Sequence, residues 1–142
     1  MTALVEVLPA EVDALWDKLK GLVKKGIDPK RYAPEDVRVH CVNGKMQMWV
    51  VLDGRHIASL IVTAINVYPL SKWLGFVVLA GANREAWMDH LADFERIALA
   101  HGCRGMEESG RKGWVREPAL KDWQLTAVTL EKDFGDVVRV AA

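Results

Sequence analysis

Two turns that contain glycine carry the residue types best suited to holding a ligand. The first, Ala80-Gly81-Ala82-Asn83, lies between an apolar run and an amphipathic run. A turn that leads from a strand into a helix presents free backbone N–H groups, which can bind an anion. The second, Gly110-Arg111-Lys112-Gly113-Trp114, combines two glycines with the forked donor of an arginine. It predicts either an anion-holding loop or a loop whose Arg111 pairs with Glu107 or Glu108.

The cysteines and histidines do not predict a metal or redox site. Cys41 and Cys103 are far apart in the sequence and form no Cys-x-x-Cys pair, so we expect two buried free thiols. The four histidines show no spacing typical of metal ligands. We therefore expect no metal.

The composition indicates one globular domain over residues 1–142. With 142 residues, 51% of them hydrophobic, the chain can bury one sizeable core. Lys plus Arg and Asp plus Glu number 19 each, so no net field favours nucleic acid or an anionic membrane. The N-terminus does not resemble a signal peptide, because it lacks a cationic start and carries Glu6 within its apolar run. We expect a cytoplasmic protein with no nucleic-acid or membrane partner.

The first element that the pattern predicts is a helix over residues 9–25. Apolar residues recur there at helical spacing, and acidic residues come early while Lys24 and Lys25 come late, as the helix dipole favours. Pro9 suits the start of this helix and Gly26 suits its end.

Tight-turn signals then predict an antiparallel meander. Asn43-Gly44 and Asp53-Gly54 both tolerate the positive φ angles that hairpin turns require. The strands are apolar on both faces, so the sheet needs cover on both sides. The predicted strands are residues 37–42, 45–52, 56–67 and 73–79, after a loop at 28–36.

A second helix, over residues 84–101, is predicted to cover the other face of the sheet. Its apolar stripe consists of Trp87, Leu91, Phe94 and Ala98, and is widened by Met88, Ile97 and Leu99. A fifth strand at 104–109 can return parallel to the fourth. A short helical or irregular segment at 114–122 and a closing strand at 125–132 complete the prediction.

This order of elements resembles the GNAT (Gcn5-related N-acetyltransferase) fold. The resemblance implies an α/β (α+β) domain with a mixed, mostly antiparallel sheet, an N-terminal helix and a long helix crossing over between parallel strands 4 and 5. The C-terminal part is similar to small GNAT-like proteins encoded in bacteriophages and prophages, often near head and DNA-packaging functions. The shared residues are Ala98 or Ala100 through Cys103, Glu107 or Glu108, Gly110, Arg111, Gly113, Trp114, and Leu130 to Lys132.

The GNAT resemblance also implies a cofactor site. In catalytic members a Gln/Arg-x-x-Gly-x-Gly/Ala loop grips the pyrophosphate of acetyl-CoA, and the splay between strands 4 and 5 receives the pantetheine arm. By this resemblance Gly81, Ala82, Asn83 and Arg84 are the cofactor-binding candidates. Val78 replaces the first residue of the loop and Asn83 the last, so we expect weak or absent acetyl-CoA binding.

Acetyl transfer in this family needs a base, often a glutamate, and an acid, often a tyrosine after the fifth strand. Glu107 and Glu108 lie on the predicted fifth strand and are the catalytic candidates. Neither Tyr32 nor Tyr68 lies where the acid is expected, and Trp114 occupies that region. The acid role is unfilled.

Two functions follow from these residues. In the first, the protein is a non-catalytic, phage- or prophage-associated module for protein–protein interaction, with Arg111 and Trp114 in its interaction loop and no cofactor. Its partners are then phage head or packaging components, and it stays in the cytoplasm of a bacterial host or is packaged in a virion. The alternative is an acetyl-CoA-dependent N-acetyltransferase with a divergent cofactor loop. The altered loop and the missing acid favour the first.

Overall fold

The computed structural model describes residues 2–81, 84–109 and 116–136, except for the side chains of Arg84 and Glu85. The chain divides into two compact units, Met1–Ser109 and Gly110–Ala142. Among its described residues, the second unit contains a short 3-10 helix at Pro118–Leu120. That a single domain spans 1–142 stays a prediction.

The first unit is a five-stranded sheet with helices on both faces. Strand order follows the chain, and only β4 and β5 pair in parallel. The predicted mixed sheet, with a helical crossover between parallel strands 4 and 5, is therefore confirmed. The elements are β1 (Thr2–Val7), α1 (Pro9–Gly26), α2 (Pro34–Val42), β2 (Met46–Asp53), β3 (His56–Val67), β4 (Lys72–Ala80), a 3-10 helix (Arg84–His90), α3 (Leu91–Ala100) and β5 (Gly105–Glu108).

Helix α1 forms as predicted and lies on one face of the sheet. Its buried residues pack with apolar side chains of β2, β3 and β4. Gly26 is the last residue of α1, and a Cβ there would lie 2.7 Å from Cγ1 of Val78 and 2.9 Å from Cβ of Ala80. The close approach of α1 to β4 is thus the physical reason for this glycine.

Replacing Gly26 with Ala should lower the free energy of unfolding by about 1 to 3 kcal/mol, because the added methyl overpacks the contact with β4. Gly21 is the matched control on the same helix, since a Cβ there meets nothing within 4 Å. Gly21→Ala should raise the free energy of unfolding by about 0.5 to 1 kcal/mol through helix propensity. Urea unfolding of both variants measures the difference, and a stabilised Gly26 variant contradicts the contact.

Residues 37–42, predicted as a strand, belong instead to α2. Pro34 begins this helix, and the Asp36 carboxylate accepts a hydrogen bond, at 2.8 Å, from the backbone N–H that precedes the proline. Asn43-Gly44 ends the helix, with Gly44 at φ 80°. The prediction was wrong because a positive φ after Asn suits a helix C-terminus as well as a hairpin.

Strand β1 takes the place of the wrongly predicted first strand. It pairs with β2 in antiparallel register, with Val5 opposite Val50. Thr2 Oγ1 lies 2.9 Å from His90 Nε2, and the other ring nitrogen of His90 lies 3.0 Å from the carboxylate of Asp93. These contacts connect β1 to the 3-10 helix and to α3, which lie on the face of the sheet opposite α1.

The predicted helix over 84–101 begins as the 3-10 helix and continues as α3. Trp87, Phe94 and Ala98 are buried as predicted, whereas Leu99 is 72% exposed and does not belong to the stripe. The Phe76 ring of β4 contacts the Trp87 and Phe94 rings at centroid distances of 5.0 and 5.2 Å. The second face of the sheet is thus an aromatic core.

The predicted closing strand at 125–132 does not form, and residues 123–135 lie in neither helix nor strand. Leu125, Val128 and Leu130 are exposed. An apolar alternation produces a strand only where one face packs against a neighbour, so this prediction was wrong. In the parts of the chain that the structure describes, no helix is both long and apolar enough to cross a membrane.

Candidate active site

The parallel pairing of β4 with β5 ends where β4 bulges. The parallel pairing ends at Phe76 opposite Glu108, while β4 runs on to Ala80. On the side of β3 the register shifts at the same level, so Val77 has no residue opposite it. A bulge bends its strand and increases the local twist. From Val77 to Ala80, β4 therefore continues beyond its pairing with β5, and no other described strand pairs with it on that side.

A cluster of polar side chains lies at the paired end of these strands. Glu107 Oε1 accepts hydrogen bonds from Asn66 Nδ2 and from the Tyr68 hydroxyl, both at 2.6 Å. Gly75 of β4 lies between Asn66 on β3 and Glu107 on β5, and a Cβ on this glycine would be 2.5 Å from Asn66 Nδ2. The glycine thus lets the amide of Asn66 reach across β4. We call Asn66, Tyr68 and Glu107 the Glu107 cluster.

The structure brings Tyr68 to Glu107, which the sequence analysis did not anticipate. Tyr68 follows β3 in a tight turn, where its N–H donates to the carbonyl of Ser71 at 2.8 Å. Asn66 and Tyr68 are two residues apart, which is the spacing of side chains on one face of a strand. The hydrogen bond to Glu107, with a smaller effect of burial, raises the pKa of Tyr68. The phenol therefore keeps its proton at neutral pH.

Glu108 has a different environment from its neighbour. It pairs with Phe76, so its side chain belongs to the face that carries the aromatic core. Its Oε2 atom is buried and has no hydrogen-bond partner among the described residues. Burial raises the pKa of Glu108 to about 8. The two catalytic candidates thus project from opposite faces, and only Glu107 joins other polar side chains.

The cofactor-binding candidates are only partly described. Gly81 has φ 134°, and a Cβ there would lie 2.6 Å from the carbonyl oxygen of Ala58. The turn after β4 therefore requires glycine for its own geometry. Ala82 and Asn83 lie outside the described residues, as does the side chain of Arg84. Their role toward acetyl-CoA stays a prediction.

The predicted interaction loop with Arg111 and Trp114 also lies outside the described residues. Cys41 and Cys103 are free and buried, as expected, and burial raises the pKa of the Cys41 thiol to about 11. In the described part of the chain, no group of three or more His, Cys, Asp or Glu side chains could hold a metal ion.

Solved structures resemble this chain over nearly its whole length, although no protein-family model and no curated protein matches it. Glucosamine-6-phosphate N-acetyltransferase from Arabidopsis thaliana is 11% identical with a TM-score of 0.63, over 95% of this chain and 99% of that chain. A GCN5-related N-acetyltransferase from Ralstonia eutropha is 11% identical with a TM-score of 0.67, over 95% and 100%. A predicted acetyltransferase with acetyl-CoA from Clostridium acetobutylicum is 13% identical with a TM-score of 0.63, over 94% and 96%.

These likenesses establish a GNAT-like fold, in agreement with the sequence analysis. At this level of identity they concern the fold alone. They give no support to the resemblance to phage and prophage proteins.

Proposed function

We propose that this protein is an acetyl-CoA-dependent N-acetyltransferase acting on an amine. The hydrogen bond of 2.6 Å between the Tyr68 hydroxyl and Glu107, which lies one residue before the pairing of β4 and β5 ends, carries the proposal. It supplies a carboxylate base together with an acid, the role that the sequence left unfilled. Fold neighbours that are acetyltransferases support this function over a non-catalytic phage module, for which they give no support.

The stretch of β4 beyond its pairing with β5 suits the cofactor. From Val77 to Ala80 the strand lacks β5 as a neighbour, so its backbone N–H and C=O groups can pair with the amides of a pantetheine arm. When bound, acetyl-CoA supplies an acetyl group activated as a thioester. The rest of the chemistry is proton transfer by side chains of this chain.

Glu107 is the proposed base. Both hydrogen bonds that it accepts from described residues go to Oε1, and Oε2 is the proposed acceptor of a proton from the amine as the amine attacks. Tyr68 is the proposed acid, and its hydroxyl gives a proton to the departing thiolate sulfur. Glu107 then releases its proton from Oε2 to solvent, and Tyr68 regains one from solvent, since both side chains are partly exposed. One proton leaves the nitrogen and one reaches the sulfur, and the protein regains its starting state.

The test is release of free CoA thiol from acetyl-CoA in the presence of a panel of primary amines. Glu107→Gln should reduce kcat about 10²- to 10⁴-fold, because the amide cannot accept the proton. Tyr68→Phe should also reduce kcat, while retaining the aromatic ring. Glu95→Gln, on the exposed side of α3, is the matched control and should leave turnover unchanged.

Circular dichroism and thermal melts of each variant separate loss of chemistry from loss of folding. A parent protein that neither binds acetyl-CoA in calorimetry nor turns over any amine contradicts the proposed function. A folded Glu107→Gln variant with parental turnover instead removes Glu107 from the role of base.

A further inference from the structure

An aromatic ring lies beside the Glu107 cluster on the same face of the sheet. Trp73 is opposite Asn66 on β3 and opposite Gly105 on β5. A Cβ on Gly105 would lie 2.5 Å from Cζ3 of Trp73 and 3.0 Å from Cε3, so the indole ring covers this glycine. Glu107 follows two residues later on β5, which places its side chain next to the ring on that face.

A hydrogen bond at one edge of the Trp73 indole ring fixes its position. Trp73 Nε1 donates a hydrogen bond to Ser71 Oγ at 2.9 Å, within the turn that also carries Tyr68. This bond lies in the ring plane, so it engages neither π face of the indole. Trp73 is partly exposed and Tyr68 is 47% exposed. Two aromatic rings thus share a face of the sheet with the carboxylate, at a place that solvent reaches.

Among the described residues, the hydrophobic core on the α1 face does not extend to the Glu107 cluster and Trp73. On the α1 face the core residues of β3 and β4 are Leu60, Val62, Val78 and Ala80, all toward the other end of the strands. Asn66, Trp73 and Glu107 remain partly exposed. Oε2 of Glu107 accepts no hydrogen bond from a described residue, because both donors bind Oε1. Among the described residues, this arrangement therefore leaves Oε2 of Glu107 without a donor, on the face that carries the two aromatic side chains.

We propose that Trp73, Tyr68 and Glu107 form a subsite for an organic ammonium group. Aromatic faces attract a cation through the ring quadrupole, and a carboxylate adds charge complementarity. A single carboxylate with two rings suits one ammonium group on an apolar body, whereas a polycation needs several carboxylates. The inference rests on the proposed function, because it names the class of acceptor: a monocationic amine, bound as ammonium. The ammonium gives one proton to solvent, and Glu107 accepts the second as the neutral amine attacks.

The test uses a cation that cannot be acetylated on nitrogen, so it does not depend on turnover. NMR titration compares choline with 3,3-dimethylbutan-1-ol, the neutral isostere in which carbon replaces the charged nitrogen. The parent should bind choline about 3- to 30-fold more tightly than the isostere, with shifts of the Trp73 indole N–H. Trp73→Leu and Glu107→Gln should each abolish that preference.

Two further variants keep the result interpretable. Trp73→Phe retains a π face and should keep a preference for choline, even if Trp73→Leu proves poorly folded. Leu70→Ala, in the same turn and 96% exposed, should bind as the parent does. Equal affinity for choline and the isostere, absence of binding to either, or a folded Trp73→Leu variant with an unchanged preference overturns the subsite.

The subsite and the transferase can fail separately. Selective choline binding in a protein without acetyl transfer supports the subsite and contradicts only the proposed function. Amine turnover without any preference for choline supports the transferase and overturns the subsite.

Discussion

Replacing Trp87 with Ala should lower the free energy of unfolding by about 3 to 5 kcal/mol, which threatens a small domain. The side chain is fully buried, and its ring contacts Phe76 of β4 at a centroid distance of 5.0 Å. Its removal leaves a cavity between the 3-10 helix and the sheet. Denaturant unfolding followed by circular dichroism measures the loss.

Leu99→Ala is the matched control from the same helical segment. Leu99 is 72% exposed, so its truncation should change the free energy of unfolding by no more than about 0.5 kcal/mol. A Trp87→Ala variant that melts with the parent contradicts the burial of this ring.

Replacing Glu108 with Gln should stabilise the protein, increasingly as pH rises. Burial raises the pKa of this carboxyl from its ordinary value of 4.5 to about 8. Below pH 4.5 the carboxyl is protonated in both the folded and the unfolded state, so the variant and the parent should have similar stability. Between pH 4.5 and 8 only the unfolded chain releases the proton, and the parent loses stability. Above pH 8 the loss approaches about 4 to 5 kcal/mol, at about 1.4 kcal/mol for each pKa unit.

Urea unfolding at pH 5, 7 and 9 tests this dependence. The difference between Glu108→Gln and the parent should grow from pH 5 to pH 9, whereas Glu95→Gln, at an exposed position of α3, should follow the parent throughout. A difference that is constant with pH contradicts a buried carboxyl at position 108.

Local patterns were sufficient for most of the regular elements. The helical spacing of apolar residues after Pro9 predicted α1, and the strand patterns after Lys45, His56 and Trp73 predicted β2, β3 and β4. Gly102, at φ 75°, follows the end of α3, where a positive φ favours glycine. These signals depend on neighbours a few residues away, so the sequence alone determines them. The parallel crossover followed, because a strand, a helix and a strand with short connections permit few arrangements.

Other elements depended on partners distant in the sequence. Asn43-Gly44 is compatible with a hairpin and with a helix end, and the packing of Val37 and Cys41 into the core on the α1 face agrees with the helix. Residues 125–132 have a strand pattern but form no strand. A ladder of hydrogen bonds requires a neighbouring strand, and local sequence does not specify that neighbour.

The candidate site was found in part from the sequence and completed by the tertiary structure. Sequence identified Glu107 and Glu108 as carboxylates on a strand beside the crossover, but their difference arises because adjacent strand residues face opposite sides of the sheet. Tyr68 is 39 residues from Glu107 along the chain, and only the pairing of β3, β4 and β5 brings the two within hydrogen-bond distance. The sequence determined which groups are available for chemistry, and the sheet decided which of them meet, because side-chain contacts across strands depend on register.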